Sequence, residues 1–275
     1  MSILMSIFIL FVFAGCGKEP VPDTPPEGVL TVTAFNAGKA DAFLLQSRGH
    51  VMVIDTATDD QGAKMVDFLR AQNIDTIDEL LITHYDKDHV GGADKLIDAF
   101  KIGKIYTSYQ VKDSDDTEEF FDSMRRNNLN NIEVSEVISY EADGVIYTIY
   151  PPQDRTYEKD ESNNSSLVTK VSLGDKSMLF TGDAEKIRIK ELLKLNDEAL
   201  ESDILKMPHH GQNEDNMKKL LKAVAPAYAI ITSSETEPAD EEVVKLLNDM
   251  AIETYFTKDG DITIQMTESS IQIQQ

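Results

Sequence analysis

The stretch Thr83-His84-Tyr85-Asp86-Lys87-Asp88-His89-Val90-Gly91-Gly92 crowds two imidazoles and two carboxylates into one short turn. An apolar run of strand length, Ile77 to Thr83, leads into it, and the amphipathic stretch Ala93 to Phe100 follows. The polar cluster therefore sits on a strand-to-helix loop, where a sheet holds the backbone and side chains converge from the loop. An Asp-Lys-Asp run alone is an ordinary solvated turn, and a lone His is more often structural than a ligand. Here His84 and His89 flank Asp86 and Asp88, and glycines follow at once to let the backbone turn tightly. Neutral imidazole beside carboxylate suits a borderline or hard divalent ion such as Zn²⁺ or Mn²⁺.

The chain carries 49 acidic against 26 basic residues, a formal net charge of −23. Such a surface repels polyanions at long range and argues against tight nonspecific nucleic-acid binding, which depends on Lys and Arg neutralising phosphates. A hydrophobic content of 41% is enough for a core, and strand and helix signals run on without an internal linker, which favours one large domain.

The first residues have a separate character. Met1 to Phe13 is almost wholly apolar but short for a bilayer span, as a secretory segment is. The following Phe13-Ala14-Gly15-Cys16 resembles a bacterial lipobox, whose Cys becomes the lipidated first residue of the mature protein. Cys16 is the only cysteine, so no intramolecular disulfide forms, and Pro20, Pro22, Pro25 and Pro26 give Lys18 to Gly28 the composition of an extended tether. The expected organisation is a lipoprotein signal peptide over 1–15, a Pro-rich tether over 16–28 and a folded domain over 29–275. The expected location is extracellular, lipid-anchored to the outer face of the bacterial cytoplasmic membrane.

Within the domain, Val29 to Phe35, Ala42 to Gln46 and Val51 to Asp55 read as a strand meander, and Gly62 to Gln72 as an amphipathic helix. Strands are expected at Lys104–Ser108, Val134–Ser139 and Val145–Tyr150, and a charged helix at Thr117–Asn127. Pro151 to Ser165 is a long polar connection of the kind that lines a cleft. A hairpin turning at Gly174-Asp175 follows, then alternating helices and strands to Ile262–Met266. The pattern predicts an α/β fold, a four-layer αβ/βα sandwich of two mixed β-sheets with helices outside.

Two further strand ends carry ligand-type residues. Met178-Leu179-Phe180-Thr181-Gly182-Asp183 places a carboxylate after an apolar strand, and Lys206-Met207-Pro208-His209-His210-Gly211 does the same with two imidazoles. Each alone is modest, since a strand-end Asp commonly caps the next helix. Together they are a pattern, because four of the chain's 5 His lie in these loops.

The ordered segments Thr-His-Tyr-Asp-Lys-Asp-His, Thr-Gly-Asp and Pro-His-His-Gly resemble the metallo-β-lactamase superfamily, and within it the hydrolase domain of ComEC-type DNA-uptake (competence) proteins. That subgroup carries Asp where other members have a second His, here Asp86. Ala37-Gly38-Lys39-Ala40-Asp41-Ala42 and Asn163-Asn164-Ser165-Ser166-Leu167-Val168 are similar to two more of its segments.

The resemblance implies two divalent metal ions, Zn²⁺ or Mn²⁺. His84 and Asp86 would hold one, Asp88 and His89 the other, with Asp183 bridging. One of the His209-His210 pair completes the second site. The sequence leaves that choice open, and the expectation adopted is His209 as ligand and His210 as the spare imidazole that protonates a leaving group. No His lies between His89 and His209, so the superfamily's usual imidazole of that interval is missing and the first site is the weaker and more oxygen-rich. Asn163, Asn164 and Lys206 are candidate substrate contacts, while Gln212 stands where the subgroup has Ser.

The implied activity is hydrolysis of a phosphodiester, DNA first among substrates, by metal-activated water with Asp88 orienting or deprotonating it. A small phosphoester, a wall-polymer phosphodiester, a lactone or a lactam is the alternative, and a noncatalytic surface lipoprotein with a degenerate site the third reading. No protein partner is inferable.

Overall fold

The computed structural model describes residues 24–275. The signal segment, Cys16 and most of the tether lie outside the described residues.

The strands are β1 (Leu30–Ala34), β2 (Ala42–Gln46), β3 (Val51–Thr56), β4 (Thr76–Ile82), β5 (Lys101–Thr107), β6 (Asn131–Glu133), β7 (Ile138–Ala142), β8 (Val145–Tyr150), β9 (Val168–Leu173), β10 (Lys176–Phe180), β11 (Ile204–Lys206), β12 (Tyr228–Ile231), β13 (Glu253–Phe256), β14 (Ile262–Met266) and β15 (Ile271–Gln274). The helices are α1 (Asp59–Ala71), α2 (Lys87–Val90), α3 (Ala93–Ala99), α4 (Asp115–Arg126), α5 (Glu161–Asn164), α6 (Lys186–Leu192), α7 (Asp197–Leu200), α8 (Met217–Val224) and α9 (Glu241–Asp249). An 8-stranded sheet runs β15-β14-β1-β2-β3-β4-β5-β6, and a 7-stranded sheet runs β13-β12-β11-β10-β9-β8-β7. Both are mixed: β3 to β6 pair in parallel, as do β10 to β13, and the remaining pairs are antiparallel.

The period-2 alternation of each strand sorts its side chains into layers. Phe43 and Leu45 of β2, Met52 and Ile54 of β3, and Leu81 of β4 meet Met178 and Phe180 of β10, Ile204 and Ile230 in one core between the sheets. The intervening Leu44, Val53, Leu80 and Ile82 turn outward onto α1, α3 and α4 through Met65, Leu69, Leu96 and Phe120. On the other sheet, Leu179, Leu205 and Ile231 turn onto α6, α8 and α9 through Ile189, Leu220, Leu221 and Leu247. This is the four-layer α/β sandwich that the sequence predicts.

Four details differ from the sequence reading. Val134 to Ser139 is not one strand: β6 pairs with β5, whereas β7 pairs with β8 in the other sheet, so the chain crosses between layers there. The long connection 151–165 contains the helical turn α5, and β15 extends the edge beside β14. Gly91 and Gly92 have ordinary negative φ values of −57° and −86°. They serve close packing, since a Cβ on Gly92 would stand 2.4 Å from the Thr56 carbonyl oxygen and 2.8 Å from Gly62 Cα on α1.

Candidate metal centre

The loops after β3, β4, β10, β11 and β12 open at the same end of the sandwich, where the carboxyl ends of the parallel strands leave a crevice. His84, His89, Asp183 and His210 meet there, all buried, and Asp88 reaches the cluster from a partly exposed position. Donor atoms of Asp88, His89, Asp183 and His210 all lie within 4.8 Å of one another. His89 Nε2 stands 3.2 Å from Asp183 Oδ1, and His210 Nε2 stands 3.2 Å from Asp183 Oδ2 and 3.4 Å from Asp88 Oδ2.

A second ring of residues aims these donors. Asp55, fully buried at the end of β3, has Oδ2 2.8 Å from His89 Nδ1 and accepts from the Thr83 hydroxyl at 2.7 Å. His210 Nδ1 lies 3.1 Å from the Thr232 carbonyl oxygen, an acceptor only, so the ring carries its proton there. His84 Nδ1 lies 3.1 Å from the Thr83 hydroxyl and 3.4 Å from Ser166 Oγ, and that same Ser166 oxygen accepts from the Asp183 backbone N–H at 3.1 Å. Each imidazole is thus held by Nδ1, with Nε2 left for the cluster.

The fit to a cation is visible in the bonds these atoms do not make. His84 Nε2 is buried without a hydrogen bond, and His89 Nε2, His210 Nε2 and Asp183 Oδ1, although charged groups stand within 3.2 Å of them, make no aligned hydrogen bond among the described residues. Orphaned buried polar atoms are costly, and a divalent ion satisfies nitrogen and carboxylate donors of this kind together.

The electrostatics agree. Burial pushes the His84 imidazole down to about 3, so it stays neutral. Burial also disfavours charge on His89, but Asp183 and Asp55 outweigh it and hold the ring well above its usual range. Asp183 likewise resists burial because His210, His89 and Lys206 draw its carboxyl well below the usual range. The carboxylates at this end of the sandwich call for positive charge.

Residues 36–233 match the family model of the metallo-β-lactamase superfamily. The chain belongs to the metallo-β-lactamase superfamily. Competence protein ComA of Neisseria gonorrhoeae is 27% identical over 213 residues, which cover 77% of this chain and 28% of that protein. ComE operon protein 3 of Bacillus subtilis is 26% identical over 204 residues, 73% of this chain and 26% of that protein. The chain therefore spans about a quarter of the length of these curated relatives. The metallo-β-lactamase fold protein YhfI of Bacillus subtilis superposes with a TM-score of 0.57 over 89% of this chain and 100% of its own, at 12% identity, a likeness of fold. The superfamily fold is that of metal-dependent hydrolases, and the buried donors provide this member with the matching ligand chemistry.

Several expected placements change. The paired histidines exchange positions: His210 Nε2 joins the cluster, while His209 sits on the rim with Nε2 4.0 Å from Asp183 Oδ2. The reason is backbone geometry, because His209, His210 and Gly211 all have positive φ (47°, 54° and 80°), and this turn sends the two rings apart. Asp86 does not join the four-donor cluster. Its Oδ1 pairs with Lys112 Nζ at 2.9 Å and with the Ser162 hydroxyl.

The expected substrate contacts also divide. Asn164 is buried and structural: its Nδ2 donates to the Asp160 carbonyl at 3.1 Å and its Oδ1 accepts from Arg188 N–H at 2.9 Å. Lys206 is buried beneath the cluster, paired with Asp41, donating to the Gly182 carbonyl at 2.9 Å and 3.5 Å from Asp183. Only Asn163 lies toward the rim, where its Nδ2 donates to Glu185 at 2.7 Å. Asp183 does not cap α6; Glu185 occupies that position.

Sequence reasoning missed Asp41 and Asp55 as parts of the site. Asp41 accepts from the Thr232 hydroxyl at 2.6 Å and lies 3.5 Å from His210 Nδ1. A readable signal for Asp55 existed, a carboxylate closing the apolar run Val51 to Ile54, since a charge in a buried strand needs a partner.

Proposed function

We propose that this chain is a metal-dependent phosphodiesterase acting on DNA at the extracellular surface of a bacterial membrane, anchored through Cys16. One observation carries the chemistry: the buried donors of His84, His89, His210 and Asp183 converge with Asp88 at the open end of the sandwich. In this reading Asp88, His89, Asp183 and His210 hold one divalent ion, Zn²⁺ or Mn²⁺, and His84 with Asp86 offers a weaker second position. Ions held there supply Lewis acidity and positive charge against the charge developing on a phosphate.

The chain's own residues do the rest. Asp55, Thr232 and Ser166 fix the rings, Lys206 steadies Asp183 and Asp41 from below, and Asp88, the one partly exposed member of the four-donor cluster, orients the attacking water. His209, outside that four-residue cluster and partly exposed, lines the rim of the crevice with Nε2 4.0 Å from Asp183 Oδ2.

DNA is favoured by the resemblance of the ordered motifs to those of ComEC-type DNA-uptake proteins, and the similarity to competence protein ComA is in keeping with it. The net charge of −23 favours the alternative, a small phosphodiester or phosphoester. The test is cleavage of single-stranded DNA, a small phosphodiester and a lactam by metal-loaded protein, with Asp183→Ala as blank. Metal-dependent DNA cleavage lost in the blank supports the proposal. Activity on the small ester alone removes DNA, and silence on all three removes the enzyme. Membrane fractionation with a Cys16→Ala control tests the anchor.

A further inference from the structure

We propose that Glu185, His209 and Glu214 form a separate divalent-cation site on the rim of the crevice, of mixed nitrogen and oxygen character suited to Zn²⁺ or Mn²⁺. His209 Nδ1 lies 3.3 Å from Glu214 Oε1 and 3.5 Å from Glu185 Oε1, and one donor atom from each of the three residues falls within 4.8 Å of the others. They come from two places, Glu185 from the start of α6 and His209 with Glu214 from the connection between β11 and α8, so the fold brings the two segments together.

The donors here are distinct from those of the metal centre. His209 uses Nδ1 toward the rim carboxylates, while its Nε2 faces Asp183. Two carboxylates against one imidazole leave the cluster net negative, and Lys186 on the same stretch pairs with Asp215 instead. A divalent ion balances that charge, and one imidazole with two carboxylates is a ligand set such ions accept.

Asn163 packs against the cluster through its amide nitrogen. Its Nδ2 donates to Glu185 Oε1 at 2.7 Å, yet its Oδ1 is buried with no hydrogen-bond partner among the described residues. The amide holds that Glu185 oxygen in place beside His209 Nδ1, 3.5 Å away.

The site does not depend on which ester the chain cleaves, and its test reads binding, not turnover. Full-length protein labelled with ¹⁵N-histidine is titrated with Zn²⁺ and followed by long-range ¹H–¹⁵N correlation, while native mass spectrometry counts bound ions. The expected result is a shift of the His209 Nδ1 resonance and one more Zn²⁺ per chain in the wild type than in Glu214→Gln. Equal counts, or a His209 Nδ1 resonance that stays in place once the metal centre is full, overturn the proposal. So does binding that appears only at millimolar Zn²⁺. Glu185→Gln is run beside Glu214→Gln, each checked by circular dichroism, and the extra ion must be lost in whichever variant folds.

Discussion

Asp55 Oδ2 stands 2.8 Å from His89 Nδ1, so a carboxylate at the end of β3 sets the direction of an imidazole on the next loop. The same carboxyl group receives the Thr83 backbone N–H at 2.8 Å and the Thr83 hydroxyl at 2.7 Å, which leaves Asp55 no freedom to follow a displaced ring. Partners of this kind fix the tautomer and raise the basicity of a metal-binding histidine.

Asp55→Asn keeps the shape but gives up the charge. Zn²⁺ affinity, measured by competition with a chromogenic chelator, is expected to fall by about 10–100-fold with little change in circular dichroism. Unchanged affinity would mean that His89 is not a ligand.

Lys206 carries the opposite charge at the base of the site. It is buried, and although burial disfavours its ammonium, Asp41 and Asp183 hold its pKa above the usual value. Lys206→Met leaves those carboxylates without their cation. The metal-free variant is expected to lose about 3–5 kcal/mol of stability in urea unfolding, the usual cost of stranding a buried charge. Zn²⁺ should recover part of that loss, because it supplies positive charge to Asp183. An equal loss with and without Zn²⁺ would place Lys206 outside the metal's reach.

The layers and the loop positions were legible in the sequence because apolar alternation and strand-end polarity are local signals. Ile77 to Thr83 reads as a strand from its own residues, and β4 covers Thr76–Ile82. What is set by pairing across the sandwich was not legible. The crossing after β6 depends on which sheet Ile138 joins, and Asp41 reaches His210 from a segment far away in the chain. The choice between His209 and His210 depended on three successive positive φ values, which the His-His-Gly triplet suggests only at its glycine.

Gly92 tests the packing of this loop without touching a donor atom. Gly92→Ala drives a methyl against the Thr56 carbonyl and the Gly62 backbone of α1, atoms with no flexible end to move aside. Thr56 in turn donates to the His89 carbonyl at 2.9 Å, so a shift of β3 is passed to the metal centre. A loss of about 1–3 kcal/mol in unfolding free energy is expected, together with weaker Zn²⁺ binding. A variant as stable as the wild type would show that α1 and the loop do not meet this closely.

Asp86 and Asp88 stand two residues apart and face different neighbours. Asp88 Oδ2 lies 3.4 Å from His210 Nε2, inside the donor cluster, and burial of its carboxyl is outweighed by His210 and His89, which draw its pKa down. Asp86 ties the loop to Lys112 and to Ser162 of α5, at a position where no third imidazole stands ready. The two alanine variants should therefore separate. Asp88→Ala is expected to lose the tightly held ion, and Asp86→Ala to keep it, with any loss confined to the weaker position beside His84. Metal per chain after dialysis, determined by inductively coupled plasma mass spectrometry, reads the difference directly. If Asp86→Ala loses as much metal as Asp88→Ala, the pairing with Lys112 yields to the cation and the two positions fill as one unit.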